Sequence, residues 1–341
     1  MRILVHSPYF FPRLGGLENI VAMLSRDFVN LGHEVVVVTN TPLSNTAEPF
    51  SFPVIRNSSL RPLMHHLRWC DIFLQFNLSL RALPALALMP RPWVVSHQSW
   101  LSHLPTSHTL PGELKRLACR FATNICCSQA IADNVQGNAI VIPNPYDNQI
   151  FFPHEKPSQT GDVLVVARLV SDKGVALALQ AVHHLLKEGR TTQLTIVGDG
   201  PEKGALEAEA LALGIHHLVL FTGPLQPREV AEQMRQHRIL VVPSIWEEPF
   251  GIVALEGLAC GCEVIVSDCG GLPEALGSHG KTFSKGNALE LAFHIKESLK
   301  IDSMVNHSGR KEHLQHHESL TSAKRFIAVL ESCAKPGLGI S

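Results

Sequence analysis

The chain has 341 residues, 45% hydrophobic and 17% charged, with a formal net charge of -1. That length favours two domains of ordinary size, and that composition supports large cores and excludes a disordered chain. The near-zero charge removes any overall case for nucleic acid binding. Residues 1–150 do carry 11 Lys+Arg against 8 Asp+Glu, which fits an acidic or membrane-associated partner and fits chance equally.

Apolar strands alternate with amphipathic helices from the start. Ile3–His6 reads as a short strand, with no long apolar signal region. Leu17, Ile20, Val21, Leu24 and Phe28 share one face of a helix over Leu17–Leu31, which Gly32 stops before a strand at Glu34–Thr39. Further strands are expected at Ile72–Gln75, Trp93–Ser96, Ile125–Ser128 and Ala139–Ile142. Their Val and Ile runs do not alternate with polar residues, as in a parallel sheet covered on both faces. The best transmembrane candidate, Ala82–Val95, is broken by Pro84, Pro90 and Pro92 and carries Arg91. Pro111–Phe121 reads as a basic amphipathic helix, with a solvated face as the plain alternative.

Pro143-Asn144-Pro145-Tyr146-Asp147 and the polar stretch to Gly161 read as a linker. The pattern then restarts, with strands at Val163–Val166, Gln193–Val197, Leu218–Phe221, Ile239–Val242 and Glu263–Ser267. Helices are expected between them at Val175–Leu186, Glu202–Leu213, Glu229–Gln236 and Val253–Ala259. This is a second doubly wound domain. The eight cysteines form no Cys-x-x-Cys, so buried reduced thiols in a cytoplasmic protein are a better reading than a metal ribbon or a disulfide scaffold.

The chemistry-bearing clusters lie at strand ends. Pro12-Arg13-Leu14-Gly15-Gly16-Leu17-Glu18 joins the first strand to the first helix. Its glycines allow close backbone approach, and a helix N-terminus attracts negative charge; a plain turn is the alternative. It is not G-x-G-x-x-G, which disfavours a dehydrogenase. After the first strand of the second domain, Arg168 and Lys173 precede Gly174 and a helix, and can converge on one anion. Gly198-Asp199-Gly200-Pro201 and Thr222-Gly223-Pro224-Leu225 follow the next two strands, as ligand loops or simple turns. Glu248 and Glu256 stand eight apart in Glu-Pro-Phe-Gly-Ile-Val-Ala-Leu-Glu, one on a loop and one about a turn inside a helix. In an open α/β sheet, that crevice is where ligands bind.

Taken together, these segments resemble the family 4 retaining glycosyltransferases of GT-B fold. Glu248 to Glu256 is similar to that family's E-x7-E motif, and Arg168 to Gly174 to its G-R-L-x-x-x-K-G segment, with Ala167 in place of the usual Gly. The likeness implies an α/β protein of two Rossmann-like domains facing a cleft. Residues 1–147 would bind the acceptor and 148–312 the donor, with a C-terminal helix over 313–335 crossing back. By resemblance, Arg168 and Lys173 neutralise the donor diphosphate, Glu248 holds sugar hydroxyls and Glu256 the ribose. Gly198 and Gly200 line the nucleotide pocket and Leu225 meets the base, while Phe250, Gly251 and Ile252 offer backbone N–H groups. Gly15 and Gly16 lie near phosphates and acceptor, and His97 faces the donor sugar; a chance His at a strand end is the alternative. Gly270-Gly271-Leu272-Pro273-Glu274 matches an architectural segment.

The expected reaction moves a hexose, first glucose from a UDP-sugar, to a hydroxyl of a carbohydrate or lipid-linked acceptor with retention of configuration. There is no Asp-x-Asp pair, so activity without a metal or other cofactor is expected. A GDP-mannose donor is the first alternative. A nucleotide-sugar 2-epimerase and a non-enzymatic sugar-binding protein rank lower. In related enzymes a surface like Pro111–Phe121 touches membrane, which would place the protein peripherally at the inner face.

Overall fold

A computed structural model describes residues 1–13, 15–43, 50–56, 59–101, 110–135, 138–154, 159–300 and 307–334. Leu14 of the Gly-Gly loop, residues 155–158 of the linker and position 335 of the final segment lie outside these ranges. The chain forms two compact units, Met1–Pro145 with the segment from Glu318 onward, and Tyr146–His317. The crossings lie at 145/146 and 317/318, a few residues from the 147 and 313 read from the sequence. Tyr146 donates its N–H to the His317 carbonyl at 3.1 Å.

The first unit runs β1 (Arg2–Ser7), α1 (Gly16–Asn30), β2 (Glu34–Thr39), β3 (Val54–Arg56), α2 (Leu60–Trp69), β4 (Ile72–Phe76) and α3 (Leu83–Leu88). β5 (Trp93–His97), α4 (Leu110–Cys119), β6 (Thr123–Cys126), α5 (Gln129–Asn134) and β7 (Ala139–Val141) follow. Its strands are parallel, in the order β3-β2-β1-β4-β5-β6-β7. The central strands are buried along almost their whole length, which is why the sequence shows apolar runs without alternation. β6 ends at Cys126, two residues before the Ser128 expected, because the Ser128 hydroxyl caps α5 by accepting the Ile131 N–H at 3.1 Å.

The second unit runs β8 (Gly161–Val166), α6 (Val175–Lys187), β9 (Leu194–Val197), α7 (Lys203–Ala212), β10 (Val219–Gly223), α8 (Pro227–Gln236) and β11 (His237–Val242). α9 (Ile252–Cys260), β12 (Glu263–Ser267), α10 (Leu272–Leu276), β13 (Lys281–Phe283), α11 (Ala288–Lys300) and α12 (His307–His316) complete it. Its order is β10-β9-β8-β11-β12-β13, again parallel. Ile196, Leu179, Val182, Val241 and Ile295 sit together in its core. The last described helix, α13 (Ser319–Ala334), packs on α1 in the first unit, with Phe326 between Phe28 and Phe76 at 6.3 Å from each. No helix among the described residues is long and apolar enough to cross a membrane.

Strand order reverses between β1 and β4 in the first unit, and between β8 and β11 in the second. At such switch points the loops from neighbouring strands leave in opposite directions and open a crevice at the carboxyl ends.

Candidate active site

At the switch point of the second unit, the loops after β8 and β11 meet. The Lys173 ammonium donates to Glu248 Oε1 at 2.5 Å, and the Ser244 hydroxyl donates to the same oxygen at 2.7 Å. Glu248 is 12% exposed and Lys173 25%, so the pair is only partly screened by water. The two loops are also tied through their backbones: Asp172 O accepts the N–H groups of Ile245 at 3.0 Å and Trp246 at 3.2 Å. Gly174 (φ 60) passes so close to Pro243 that a β-carbon there would lie 2.1 Å from its carbonyl oxygen.

The neighbouring loops are locked to these in the same manner. Gly198 (φ 139) crosses the Ala167 carbonyl, leaving a β-carbon 1.8 Å from its oxygen, and donates its N–H to Gly223 O at 2.9 Å. Gly200 would place a β-carbon 2.3 Å from Leu169 O. Both glycines are thus required by backbone lying on backbone, whatever occupies the site. Leu225, half-buried, follows directly on the loop that Gly223 ties down. Beyond β12, Gly271 N donates to Glu248 O at 2.7 Å, and Gly270 N to Glu247 Oε2 at 2.7 Å. A side chain on Gly270 would strike the backbone of Glu248. The Gly270–Glu274 segment therefore braces the Glu248 loop.

Two ionisable groups on this edge are uncommitted. Arg168 is exposed, and its guanidinium makes no hydrogen bond or ion pair among the described residues. The Glu256 carboxyl, one turn inside α9, has no hydrogen-bond partner among them either. Burial, with the Asp147 charge adding to it, pushes the Glu256 carboxyl up to about 8. Phe250 is buried and anchors the turn into α9. Gly251 (φ 116) caps that helix, and a side chain there would hit Leu272. The first N–H groups of α9, beginning at Ile252, have no intrahelical acceptor and face outward from the helix end.

The sites expected in the first unit are built differently. Gly15 is extended (φ 175), and Gly16 is the first residue of α1. The atoms nearest a β-carbon at Gly15 would be those of the Glu18 carboxylate. Glu18 is buried and bonds Arg13 Nε at 3.0 Å, while the Arg13 guanidinium lies 4.0 Å over the Tyr9 ring. His97 is 1% exposed at the end of β5. The Asn124 amide donates to the carbonyls of Cys119 at 2.9 Å and Ala122 at 3.2 Å, which turns its Oδ1 toward His97 Nε2 at 2.9 Å. That oxygen only accepts, so His97 carries its proton on Nε2 and presents a bare Nδ1. Burial lowers the ring to about 4 and keeps it neutral. The position expected to face a sugar is enclosed, with one nitrogen already committed.

Three contributors were not singled out from the sequence. Ser244 is visible only as the last residue of an apolar strand run. Asp147 acts on Glu256 through the fold, from about a hundred residues away in the chain. Glu247 bonds Lys285 at 2.5 Å as well as Gly270, and no local spacing marks that contact.

Two parallel doubly wound units, one with cations and carboxylates gathered at its switch point, define the GT-B class of α/β glycosyltransferases. The chain matches Glycosyltransferase Family 4 over residues 14–149 and Glycosyl transferases group 1 over residues 147–313. It belongs to family 4 of the GT-B glycosyltransferases, and it is a glycosyltransferase. It is 26% identical to the phosphatidylinositol N-acetylglucosaminyltransferase gpi3 subunit of Schizosaccharomyces pombe, over 96% of this chain and 78% of that protein. It is also 26% identical to a phosphatidylinositol N-acetylglucosaminyltransferase subunit of Homo sapiens, over 79% of this chain but only 62% of that one. A sucrose-phosphate synthase from Thermosynechococcus elongatus shares the fold, with a TM-score of 0.82 at 19% identity over 97% of this chain and 98% of that one.

Proposed function

We propose that the second unit binds a nucleoside diphosphate sugar at its switch point, and that the chain transfers the sugar to a hydroxyl acceptor with retention of configuration. The observation that carries this reading is the pairing of Lys173 with Glu248 across the β8 and β11 loops, beside an Arg168 whose guanidinium bonds nothing among the described residues. Two cations set at a crevice, one of them free, suit a diphosphate leaving group. Lys173 would be shared between Glu248 and the diphosphate, so donor binding exchanges one anion for another at the same ammonium. Glu248, then less tightly held, accepts hydrogen bonds from sugar hydroxyls. Glu256 receives the ribose hydroxyls. Hydroxyl donors favour its charged form, so binding releases a proton and strengthens as pH rises toward about 8.

Arg168, Lys173 and the start of α9 stabilise the charge that develops on the departing diphosphate. With that charge met by the protein's own cations, turnover proceeds without a divalent metal. On this reading the leaving diphosphate takes the acceptor proton, and no side chain becomes a covalent intermediate. His97 serves by position, its neutral ring held by Asn124.

The sugar is a hexose or its N-acetylamino form. The relatives named above are N-acetylglucosaminyltransferases, which favours N-acetylglucosamine over the glucose first read from the motifs, with UDP as carrier. Their names also favour a lipid-borne inositol acceptor over polysaccharide. A panel of UDP-N-acetylglucosamine, UDP-glucose and GDP-mannose, with and without EDTA, tests each point through nucleotide release. Turnover only with GDP-mannose would overturn the donor assignment, and loss of turnover in EDTA would overturn the metal-free mechanism. Release from none of these donors with any acceptor would favour a non-catalytic sugar-binding protein.

A further inference from the structure

Glu248 is held through one of its two oxygens. The Lys173 ammonium and the Ser244 hydroxyl both donate to Oε1, at 2.5 Å and 2.7 Å, while Oε2 has no partner among the described residues. The two donors differ in kind. Lys173 is 25% exposed and reaches Glu248 on a long, flexible stem. Ser244 is 1% exposed, just past the end of β11, and its short side chain has little freedom to turn away.

The backbone of Ser244 is fixed from the neighbouring strand. Its carbonyl accepts from the Ser267 hydroxyl at 2.6 Å and from the Cys269 thiol at 3.4 Å, both buried at the end of β12. The same thiol reaches the Trp246 carbonyl at 3.0 Å. Among the described residues, the Ser244 hydroxyl has no acceptor but Glu248. A buried hydroxyl is costly unless it is bonded, so the fold commits Ser244 to that one oxygen. Alanine would fill nearly the same space; what the hydroxyl adds is the bond to Glu248.

We infer that Ser244 is a positioning residue: it pins the Glu248 carboxylate through Oε1, so that Oε2 stands ready for a hydroxyl of the donor sugar, and it holds that pose once Lys173 turns to the diphosphate. This role rests on the donor reading proposed above. There the ammonium is shared between Glu248 and the diphosphate, which leaves Ser244 as the steady donor on Oε1. A hydrogen bond from a hydroxyl to an ionised oxygen is among the stronger ones. Without it the carboxylate is free to swing, and transfer loses the alignment of sugar and leaving group on which its rate depends. Ser244 acts through Glu248 and not on the sugar itself.

Nucleotide release from UDP-N-acetylglucosamine, UDP-glucose or GDP-mannose, whichever turns over fastest, tests it in the parent, Ser244→Ala, Glu248→Ala and the double variant. Calorimetric binding of the matching free diphosphate and a circular-dichroism melt accompany each protein. Ser244→Ala should lower kcat about tenfold to hundredfold, with the melt, the diphosphate affinity and the donor KM close to the parent's. Ser244→Thr keeps the hydroxyl and should recover most of that loss. In the Glu248→Ala background, removing the Ser244 hydroxyl should change the remaining rate no further, since the group it positions is gone. The same fold-loss in both backgrounds, an unchanged kcat in Ser244→Ala, or a fall in diphosphate affinity or melting temperature that matches the fall in rate would overturn the inference while leaving the donor reading intact. A parent chain that neither releases nucleotide nor binds any diphosphate would overturn the donor reading, and the role of Ser244 with it.

Discussion

The two units share a topology but fix their strand-end loops by different means. In the second, five loops are laid backbone on backbone, through Gly174, Gly198, Gly200, Gly223 and Gly270–Gly271. In the first, the corresponding positions depend on side chains: Glu18 under Gly15, and Asn124 behind His97. Backbone lying on backbone leaves no room for a substituent at Gly174, Gly198, Gly200 and Gly270–Gly271, whereas side-chain contact tolerates adjustment. The strand-end loops of the second unit are thus held more rigidly than those of the first.

The contrast is sharpest at glycine. Gly198→Ala places a methyl group against the Ala167 carbonyl in a backbone conformation that side chains rarely adopt. It should cost more than about 4 kcal/mol and leave the second unit largely unfolded by circular dichroism. A well-folded Gly198→Ala protein would break the comparison. Arg168→Ala comes next. It should cut turnover by about 10²–10³-fold while moving the melting temperature little, since the Arg168 side chain is exposed and bonds nothing among the described residues. Lys173→Ala is the less clean variant, because it strands a mostly buried Glu248 on Ser244 alone and so adds about 1–3 kcal/mol of instability.

Glu256→Gln sharpens the comparison through pH. A carboxyl raised from 4.5 to about 8 in the fold stays protonated where the unfolded chain is ionised. The native state then binds more protons, so stability falls as pH rises from about 4.5 to about 8 and is flat beyond. Gln removes that slope. The variant should gain on the order of 2–4 kcal/mol over the parent by pH 8.5, allowing for a carboxyl only half-buried, and nothing at pH 4. Denaturant titrations at the two pH values measure it, and equal differences at both would refute the assignment. The smallest effect belongs to Gly15→Ala. Glu18 can rotate away from the new methyl group, so a loss under about 1 kcal/mol is expected; a loss as large as that of Gly198→Ala would mean the first unit is built as tightly as the second.

Most of this architecture was legible because a parallel sheet writes itself as Val/Ile runs and its loops as glycines. The second unit was the clearer of the two, since Gly198, Gly200 and Gly270 mark backbone crossings that permit no other residue. The short edge strands Val54–Arg56 and Lys281–Phe283 left no readable period. α11 did leave one, in Leu291, Ile295 and Leu299, and could have been found. α4 shows a limit of another kind: periodicity reveals a stripe but not which way it turns, and only the fold shows Arg116 inside and Phe121 outside. Ser244 and Asp147 act through tertiary proximity and carry no local mark. His97 was found by its place at a strand end, but its burial and its bond to Asn124 depend on a residue 27 positions away.

The central claim is that the β8–β11 switch point receives a nucleoside diphosphate. Melting curves of the parent chain and of Arg168→Ala, each with UDP, GDP, dTDP, ADP or NAD and with EDTA present, test it most directly. A ligand that binds only the folded state raises the melting temperature by an amount set by its concentration relative to its dissociation constant. The account predicts that one nucleoside diphosphate, with UDP expected, raises the parent's melting temperature and that the rise shrinks sharply in Arg168→Ala. No rise with any diphosphate, or an equal rise in both proteins, would contradict it.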